Sequence, residues 1–287
     1  MIAERRNRGR ARRRQWPLKA LGLLILCFLS IGFLAPLLWS MTASVKSLGE
    51  VYAYPPSLWV DDPKWSNYQV ALSRLPFFQF LVNTVIICVA STVGQVLASS
   101  MVGYSFARLR WRGRNFWFVV LLATMMLPGQ ILLIPHYLIF QSLGWINTYK
   151  PLIVPSWLGG GAFFIFLFRQ FFMSIPREME EAARIDGASH WQIYWHIFLP
   201  NAKAVLATVA ILGFISHWKD FMNPLIYLSS FDKFPISLGL RMYQTLEGAY
   251  INYLMAASIV ASLPLIVLFF VAQRFFVKGL LLTGSKG

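Results

Sequence analysis

The residues whose types and spacing point to a specific function lie in one polar stretch, PREMEEAARIDGASHWQIYWHIFLP, residues 176–200, between two long apolar runs. On a helix, Glu181 and Ala182 would share a surface with little side-chain bulk, where another protein could dock closely. The pattern therefore indicates a docking surface rather than a catalytic site. Seven residues stand at fixed offsets within it: Glu181, Ala182, Ala183, Gly187, Ile197, Leu199 and Pro200.

The local sequence of this stretch predicts two short helices separated by a turn. Pro176 breaks the preceding helix and is followed by a run of strong helix formers. Gly187 interrupts that run, and Ser189 can cap a second helix with Gln192 as its capping-box partner. Pro200 is expected to follow the end of the second helix. The sequence thus predicts a compact helix-turn-helix platform.

A second group of polar residues interrupts the apolar runs. At 1.5 Å per residue, Lys219 lies about 22 Å from Ala204, so its charge and that of Asp220 should face water or protein. They could line a translocation path or contact a partner subunit; snorkelling to the membrane interface is the alternative. The neutral amides could equally be contacts between helices. The candidate pathway residues are Asn83, Gln95, Trp218, Lys219, Asp220 and Asn223.

Other familiar chemistries find no support in the sequence. Cys27 and Cys88 both lie inside apolar runs, which argues against a disulfide framework or a CxxC site. The four histidines have no metal-ligand spacing. Residues 279–286 resemble an ATP-binding Walker A loop, but the Ser and Lys are reversed and no helix can follow. We therefore predict that this chain has no catalytic residue and binds neither a metal nor ATP.

The elements that must position these residues are membrane spans. Hydrophobic residues make up 57% of the chain and charged residues only 13%, whereas about 25% of the residues in a soluble domain are charged. Since about 20 apolar residues cross a bilayer, the sequence predicts an all-α polytopic membrane protein with six transmembrane helices. Their ranges are 20–41, within 77–107, within 115–149, about 151–168, from about 204, and about 248–273.

Prolines and basic residues refine this picture. Pro128 and Pro135 predict a kink or a break in the third span, near its outer side. Lys and Arg near span ends resist translocation. Of the 26 Lys and Arg, 19 fall on the side that holds both termini and the loop 169–203, and six fall on the other, with Lys219 inside the fifth span. Both termini and that loop are therefore expected in the cytoplasm.

The predicted organisation has one membrane domain with cytoplasmic extensions. The net charge of +15 falls in short clusters between uncharged runs, which is a topological pattern, so we predict no nucleic-acid partner. The Arg-rich N-terminus is better suited to the lipid surface. The segments are a basic cytoplasmic N-terminus (1–19), a transmembrane domain (20–277) with a cytoplasmic loop (174–201), and a cytoplasmic tail (278–287).

The polar stretch resembles the EAA loop of ATP-binding-cassette (ABC) importer permeases. After Glu181, Ala182 and Ala183 come three residues, Gly187, nine residues, Ile197, one residue, and then Leu199 and Pro200. The likeness covers nearly the whole chain and is closest to carbohydrate-uptake permeases of the maltose-permease type. The other stretches that carry it are NTVIICVASTVGQVLASSMVGYSFARLRWRGR, MMLPGQILLIPHYLIFQSLGWINTY and HWKDFMNPLIYL. The resemblance implies the type I ABC importer permease fold.

The same resemblance implies partners and roles. The seven spaced residues would couple the chain to a separate ATPase, with Glu181 as the polar contact and Gly187 permitting the chain reversal. The implied complex contains a second permease subunit, two copies of the ATPase subunit, which would bind ATP and Mg, and an extracytoplasmic solute-binding protein. It would import a carbohydrate-like solute across the bacterial inner membrane. The loop 229–250 could help to release the solute from the binding protein.

Two stretches depart from the family pattern. Residues 218–221 are Trp-Lys-Asp-Phe, where many relatives have Trp-Asn-Asp/Glu-Phe, and the tail KGLLLTGSKG only loosely matches the familial ending.

Two other functional classes remain as alternatives. An ion-coupled secondary transporter of a small polar solute would need ionisable groups deep in several spans, but only Lys219 and Asp220 approach that description. A membrane-embedded enzyme would need a nucleophile with a base or paired carboxylates.

Overall fold

The computed structural model describes residues 16–244 and 250–284, with side chains at 19–244 and 250–273. Every regular element within these ranges is a helix. Most of the predicted basic segment 1–19, residues 245–249 of the predicted release loop and the end of the predicted tail lie outside the described residues. The contacts divide the chain into two units, 1–74 with 243–260 and 75–242 with 261–287.

The first unit contains a long N-terminal helix and two short ones. It comprises helices α1 (Trp16–Ser44), α2 (Leu48–Val51) and α3 (Ser66–Arg74), together with the first turns of the C-terminal helix Ile251–Gly284. The residues Lys19–Ser44 of α1 are long and apolar enough to cross a membrane. This confirms a helix at the first predicted span, three residues longer at its C-terminal end.

Buried hydrogen bonds hold the connection after α1. The side chain of Asn67 donates to the carbonyl oxygens of Ser44, at 2.9 Å, and Lys46, at 2.8 Å. The Tyr243 hydroxyl donates to the carbonyl oxygen of Ala71. Burial raises the pKa of Tyr243 to about 12, which further disfavours the charged phenolate.

The second unit holds the remaining helices. They are α4 (Phe77–Arg108), α5 (Arg114–Thr124), α6 (Leu133–Ser142), α7 (Lys150–Leu158), α8 (Ala162–Ser174), α9 (Arg177–Ile185), α10 (His190–Asn201), α11 (Lys203–Lys219), α12 (Met222–Tyr227) and α13 (Ile236–Met242). Single 3₁₀ turns lie at Gly129–Leu132 and Phe231–Lys233.

Helices occupy all six predicted span positions. Four are long and apolar enough to cross a membrane: Lys19–Ser44, Phe77–Arg108, Lys150–Ser174 and Ile251–Gln273. Two further candidates are bent pairs. Arg114–Thr124 with Gly129–Ser142 bends by 94°, and His190–Asn201 with Lys203–Lys219 bends by 79°. By length and composition, the described part of the chain has four to six candidate spans.

The predicted break in the third span is confirmed. Helix α5 ends at Thr124, and Pro128 lies in the break, where its extended backbone starts the 3₁₀ turn. Pro135 does not contribute to the break, because it is in the first turn of α6, where a missing backbone N–H leaves no partner unsatisfied.

The fourth span differs from its prediction in length and continuity. It reaches Ser174 instead of ending near Phe168, and three glycines, residues 159–161, interrupt it between α7 and α8. Gly160 has a φ of +70°, and a Cβ there would lie 2.6 Å from both the Gln95 carbonyl oxygen and the Ser99 amide nitrogen. Glycine is therefore required where this bend touches α4.

One predicted helix end is wrong. Pro200 does not follow the end of α10, because the helix continues to Asn201. A π-helical turn at Tyr194–Phe198 precedes it, and Pro200 falls at the start of a new turn, which tolerates its missing N–H. Helix α11, for which no end was predicted, has Lys219 as its last residue and Asp220 directly after it.

A core of aromatic residues packs α4, α8 and α10 together in the second unit. Tyr104 of α4 lies with its ring centroid 5.0 Å from Phe198 and 5.3 Å from Tyr194, both of α10. Phe172 of α8 is fully buried and stands 5.6 Å from Phe198. These contacts fix the polar segment 176–201 to the two long helices.

Candidate functional site

The polar segment 176–201 is the predicted docking segment. Its first helix, α9, ends in a sharp reversal of the chain at Gly187. The Ala188 amide donates to the Ala183 carbonyl at 2.9 Å, and the Gly187 amide donates to the Arg184 carbonyl at 3.0 Å. This is the Schellman pattern, which needs a left-handed residue at its centre. Gly187 supplies it with a φ of +81°. The predicted turn and its glycine requirement are therefore confirmed.

The second helix, α10, begins with the predicted capping box. The Ser189 hydroxyl accepts a hydrogen bond from the Gln192 amide at 3.3 Å, and the Gln192 side-chain oxygen accepts one from the Ser189 amide at 2.8 Å. The two bonds satisfy amide groups that the helix start would otherwise leave free. The predicted helix-turn-helix is confirmed as local structure.

The seven spaced residues divide into two groups by exposure. Four are exposed and three are half-buried. The half-buried group packs against the aromatic core and so anchors the segment, whereas the exposed group is open to a partner. The exposed residues are Glu181, Ala182, Gly187 and Pro200, and the half-buried ones are Ala183, Ile197 and Leu199.

Ile185 belongs to the exposed surface, although its residue type did not mark it as a docking residue. Its side chain is 87% exposed, next to Glu181 on the same face of α9. A single exposed aliphatic residue is common on protein surfaces, so it is the position of Ile185 beside Glu181 and Ala182 that makes it part of this surface. The surface therefore combines a carboxylate, a small residue and an apolar contact.

A buried carboxylate that the sequence analysis missed lies directly beside Glu181. Glu180 is only 7% exposed. One of its oxygens lies 2.6 Å from the Arg184 guanidinium, and the other lies 3.7 Å from that of Arg108 at the end of α4. The i, i+4 spacing to Arg184 was visible in the sequence, but the partner on α4 depends on the tertiary fold.

Arg108 connects the docking segment to a second long helix. Its guanidinium donates to the Phe172 carbonyl oxygen, at 2.6 and 3.1 Å, and to the carbonyl oxygen of Ile175. It also lies 4.9 Å from the centre of the Phe198 ring. One side chain thus joins the ends of α4 and α8 to both α9 and α10. Movement of the docking surface would reach two membrane helices through it.

A further tie runs between α10 and α4. The hydroxyls of Tyr194 and Ser100 are 2.7 Å apart, and both residues are buried. Tyr194 and Phe198 stand at i and i+4, a spacing that could have been read from the sequence as an apolar helix face. The docking segment is therefore held by hydrogen bonds and aromatic packing together.

The predicted pathway residues do not form one cluster. Gln95 is buried, and its side-chain oxygen lies 3.1 Å from the Nε2 of His217 on α11. Gly213 makes room for this contact, since a Cβ there would lie 2.5 Å from the same oxygen. Gln95 thus joins α4 to α11, and His217 is a partner that the sequence analysis did not single out.

Asn83 lies at a different place on α4. Its amide donates to the carbonyl oxygens of Asp232, at 2.8 Å, and Phe234, at 3.0 Å. Thr84 beside it accepts a hydrogen bond from the Ile236 amide at 2.7 Å. These bonds fix the connection before α13, and the proposed pathway role of Asn83 stays a prediction.

The remaining pathway candidates surround the end of α11. Asp220 accepts hydrogen bonds from the Asn223 amide, at 3.2 Å, and the Asn223 side chain, at 2.9 Å, and so starts α12. Trp218 is buried and stacks on Phe214, whereas Lys219 is exposed. Lys219 and Asp220 therefore point to different surroundings, as expected of adjacent residues. Their roles in a pathway stay predictions.

The described side chains contain no candidate metal site. In residues 19–244 and 250–273, no three His, Cys, Asp or Glu side chains lie together as metal ligands would. The predicted absence of a metal and of bound ATP stays a prediction.

Comparisons with known proteins match most of this chain. The family model described as "Binding-protein-dependent transport system inner membrane component" matches residues 95–281. The arabinooligosaccharides transport system permease protein AraQ of Halalkalibacterium halodurans is 38% identical over 205 residues, 71% of this chain and 73% of that protein. The sn-glycerol-3-phosphate transport system permease protein UgpE of Brucella abortus is 33% identical over 270 residues, 91% of this chain and 94% of that protein.

A solved structure shows the same fold. It is that of a bacterial ABC transporter involved in the import of the acidic polysaccharide alginate. One of its chains superposes with a TM-score of 0.79 and 24% sequence identity, covering 92% of this chain and 98% of that one. The match supports the fold alone, since the sequence identity is low.

Proposed function

The chain belongs to the family of binding-protein-dependent transport system inner membrane components, and from this premise we propose that it forms half of an import pathway for a carbohydrate-like solute, coupled to a separate ATPase through the loop 174–201. Members named among its relatives are ABC transporter permeases of sugar-transport type. Such a permease is not an enzyme, because ATP is hydrolysed by another subunit. Membership removes the secondary transporter and the membrane enzyme as alternatives.

One observation carries the coupling proposal. Glu181, Ala182 and Ile185 form an exposed surface, while their neighbour Glu180 is buried in ion pairs that reach α4. A surface that is open to a partner and rigidly joined to membrane helices suits the transmission of movement. The ATPase cleft that receives this surface would therefore move α4 and α8 when it closes.

The wider assembly follows from the same proposal. A second permease subunit, a homologous chain or another copy, completes the pathway. Two ATPase subunits bind ATP and Mg, and an extracytoplasmic binding protein delivers the solute through the loop 229–250. In this proposal the chain crosses the membrane six times with both termini in the cytoplasm, and segments 1–19, 20–277 and 278–287 are the basic N-terminus, the membrane domain and the tail. The assembly lies in the bacterial cytoplasmic membrane.

The solute class is inferred from two relatives and from the site. The named relatives transport arabinooligosaccharides and sn-glycerol-3-phosphate, which are a carbohydrate and a polyol phosphate. Among the pathway candidates, the exposed Lys219 and its half-buried neighbours Asp220 and Asn223 can hydrogen-bond to hydroxyls. These features favour a polyhydroxylated solute over an apolar one.

The test compares charge reversal at the exposed carboxylate of Glu181 with charge reversal at that of Asp61, and adds a substitution at the turn glycine, Gly187. Glu181→Lys and Gly187→Asp should abolish ATP-driven uptake, measured in membranes with the co-expressed neighbouring subunits, while leaving insertion normal. Asp61→Lys, which makes the same charge change at an exposed residue outside the docking segment, should leave uptake unchanged. Uptake that persists without any ATPase partner would show that the importer assignment is wrong.

Ile185 provides an independent test of the docking surface. Ile185→Ser should lower the recovery of the ATPase with the purified permease by roughly tenfold, because an apolar contact at the centre of an interface contributes on that scale. Ile185→Leu keeps the apolar bulk and should retain the ATPase. Since this side chain is 87% exposed, neither change should alter the stability of the permease. Equal recovery of the ATPase with both variants would remove Ile185 from the interface.

A further inference from the structure

Beside the docking segment lies a cavity with a strong excess of positive charge. It encloses about 470 Å³, a size common among small-molecule sites. Its charged lining consists of six arginines and two glutamates: Arg108, Arg110, Arg114, Arg169, Arg177, Arg184, Glu180 and Glu181. Groups from α4, α5, α8 and α9 therefore converge on one space.

Most of this positive charge has no carboxylate to balance it. Glu180 pairs with Arg108 and Arg184. In the part of the chain that the structure describes, no carboxylate lies within 4.0 Å of the guanidinium groups of the other four lining arginines. Arg114 and Arg169 donate instead to carbonyl oxygens, those of Leu109 at 3.1 Å and Phe106 at 3.4 Å. Carbonyl contacts do not neutralise charge, so the cavity favours an anion.

The chemistry of the lining selects phosphate among the common anions. A guanidinium group offers several N–H donors in a planar fork that matches the oxygens of a phosphate. Arg110 and Arg177 are exposed, and neither side chain makes a hydrogen bond within the described residues. Their donors are therefore open to a ligand, while Arg108 and Arg169 are fixed by contacts with the protein.

An apolar groove continues from the charged cavity. Arg110 and Arg114 also line a shallow depression with Trp111 and Phe116. Trp111 in turn lines a groove of about 480 Å³ along α5. The other groove residues are Phe106, Trp117, Val120 and Leu121. Through the shared residues Arg110, Arg114 and Trp111, the charged cavity thus adjoins an apolar surface on a candidate membrane helix.

We propose that this arginine cavity and the adjoining groove bind one anionic phospholipid, with its phosphate among the arginines and an acyl chain along α5. Basic pockets between membrane helices on the cytoplasmic side suit acidic lipid head groups. A soluble phosphate would leave the groove without a role, and so would an acidic segment of a partner protein. The assignment to the cytoplasmic leaflet rests on the orientation in the proposed function.

The site adjoins the docking segment directly. Glu180 and Glu181 line the same cavity as the unpaired arginines, so a bound phosphate would reduce the net positive charge facing the start of α9. The lipid would thereby stabilise the arrangement in which Arg108 joins α4 to Glu180. The anionic lipid is consequently a structural component of the docking segment, which the ATPase cleft receives.

The test measures lipid binding directly. The chain is purified with its co-expressed partner subunits and titrated with phosphatidylglycerol, phosphatidylcholine and inorganic phosphate. Bound lipid is counted by native mass spectrometry, and the thermal unfolding midpoint is followed. Arg110→Gln with Arg177→Gln should weaken phosphatidylglycerol binding roughly 25-fold, since each basic residue near an anionic head group contributes about fivefold. Trp117→Ala should weaken it too.

A matched variant controls for net charge. Arg112→Gln with Lys203→Gln removes the same two charges from exposed residues that do not line the cavity, so binding should be unchanged. Unaltered binding in the cavity double variant would overturn the proposal. The proposal would also be overturned if inorganic phosphate raised the thermal unfolding midpoint as much as phosphatidylglycerol did and Trp117→Ala had no effect. That result would indicate a phosphate site. If the cavity double variant lost the ATPase subunit but kept its bound lipid, the lipid proposal would be overturned in favour of an acidic protein segment.

These measurements need neither ATP nor solute. Failure of the importer assignment would therefore leave the lipid result valid. Conversely, loss of uptake in Gly187→Asp, a residue outside the cavity lining, with normal lipid binding, would support coupling without bearing on the lipid site. The two proposals can fail separately.

Discussion

At the residue scale, two neighbouring carboxylates on α9 meet opposite surroundings. Glu181 is exposed, whereas Glu180 is 7% exposed and pairs with two arginines. Their roles differ accordingly, because a buried charge needs a partner and an exposed one is solvated. Glu181 could be identified from the sequence by its spacing to Gly187, whereas the burial of Glu180 depends on how α9 is rotated against α4.

The two arginines around Glu180 should differ in their contribution to stability. The Arg108 side chain is 6% exposed and that of Arg184 is 48% exposed. Arg108→Met should lower the free energy of unfolding by about 2–4 kcal/mol, because it breaks a buried pair and leaves backbone carbonyls without donors. Arg184→Met should cost less than about 1 kcal/mol, since exposed pairs contribute little.

Unfolding of the purified chain by SDS titration would measure this difference, and Arg112→Met serves as an exposed control with the same change of side chain. Equal losses for Arg108→Met and Arg184→Met would show that the link between α4 and α8 is not made by Arg108. Loss of uptake without loss of stability in Arg108→Met would instead assign the residue to the transmission of movement alone.

At the element scale, helix starts and turns were predictable wherever local sequence determines them. The capping box of Ser189 and Gln192, the reversal at Gly187 and the break at Pro128 all follow from residues within one or two turns. The end of α10 was not predictable from Pro200, because the π-helical turn before it depends on packing of Tyr194 and Phe198 in the core.

The end of α11 shows a signal that was present but not used. Counting 1.5 Å per residue from Ala204 assumes that the helix continues. Asp220 followed three residues later by Asn223 is a helix-start pattern, and the structure uses it to begin α12. The three glycines at 159–161 were a similar signal for the bend in the fourth span, although their contact with α4 required the tertiary fold.

That bend supports a prediction for adjacent glycines. Gly160→Ala should destabilise the chain by about 3 kcal/mol or more, because its φ is +70° and the added Cβ would press on backbone atoms of α4. Gly159→Ala is the matched control. Its φ is −162°, and an added Cβ meets no atom within 4 Å, so the change should stay within about 1 kcal/mol.

The measurement is again the midpoint of SDS unfolding, together with the amount of chain inserted in membranes. A tolerated Gly160→Ala would mean that α4 and the bend at residues 159–161 can separate. In that case the packing of α7 and α8 on α4 would be mobile rather than fixed.

At the scale of the whole molecule, composition and charge carried most of the prediction. Uncharged runs located all six helical regions because hydrocarbon excludes charge, and the family follows from the spacing in one polar loop. The grouping of pathway candidates was not predictable. Gln95 and His217 are 122 positions apart in sequence, and their contact arises only when α4 packs on α11.

The orientation of the spans can be tested by labelling. In a chain whose Cys27 and Cys88 have been replaced by Ala, Asp61→Cys and Asn115→Cys each introduce one exposed thiol. If the excess of Lys and Arg fixes the topology, a membrane-impermeant maleimide should label the first variant in spheroplasts and the second only in inverted vesicles. Permeabilised membranes, in which both should react, provide the control. Labelling of Asn115→Cys from outside would reverse the topology and with it the side on which Glu181 can meet an ATPase.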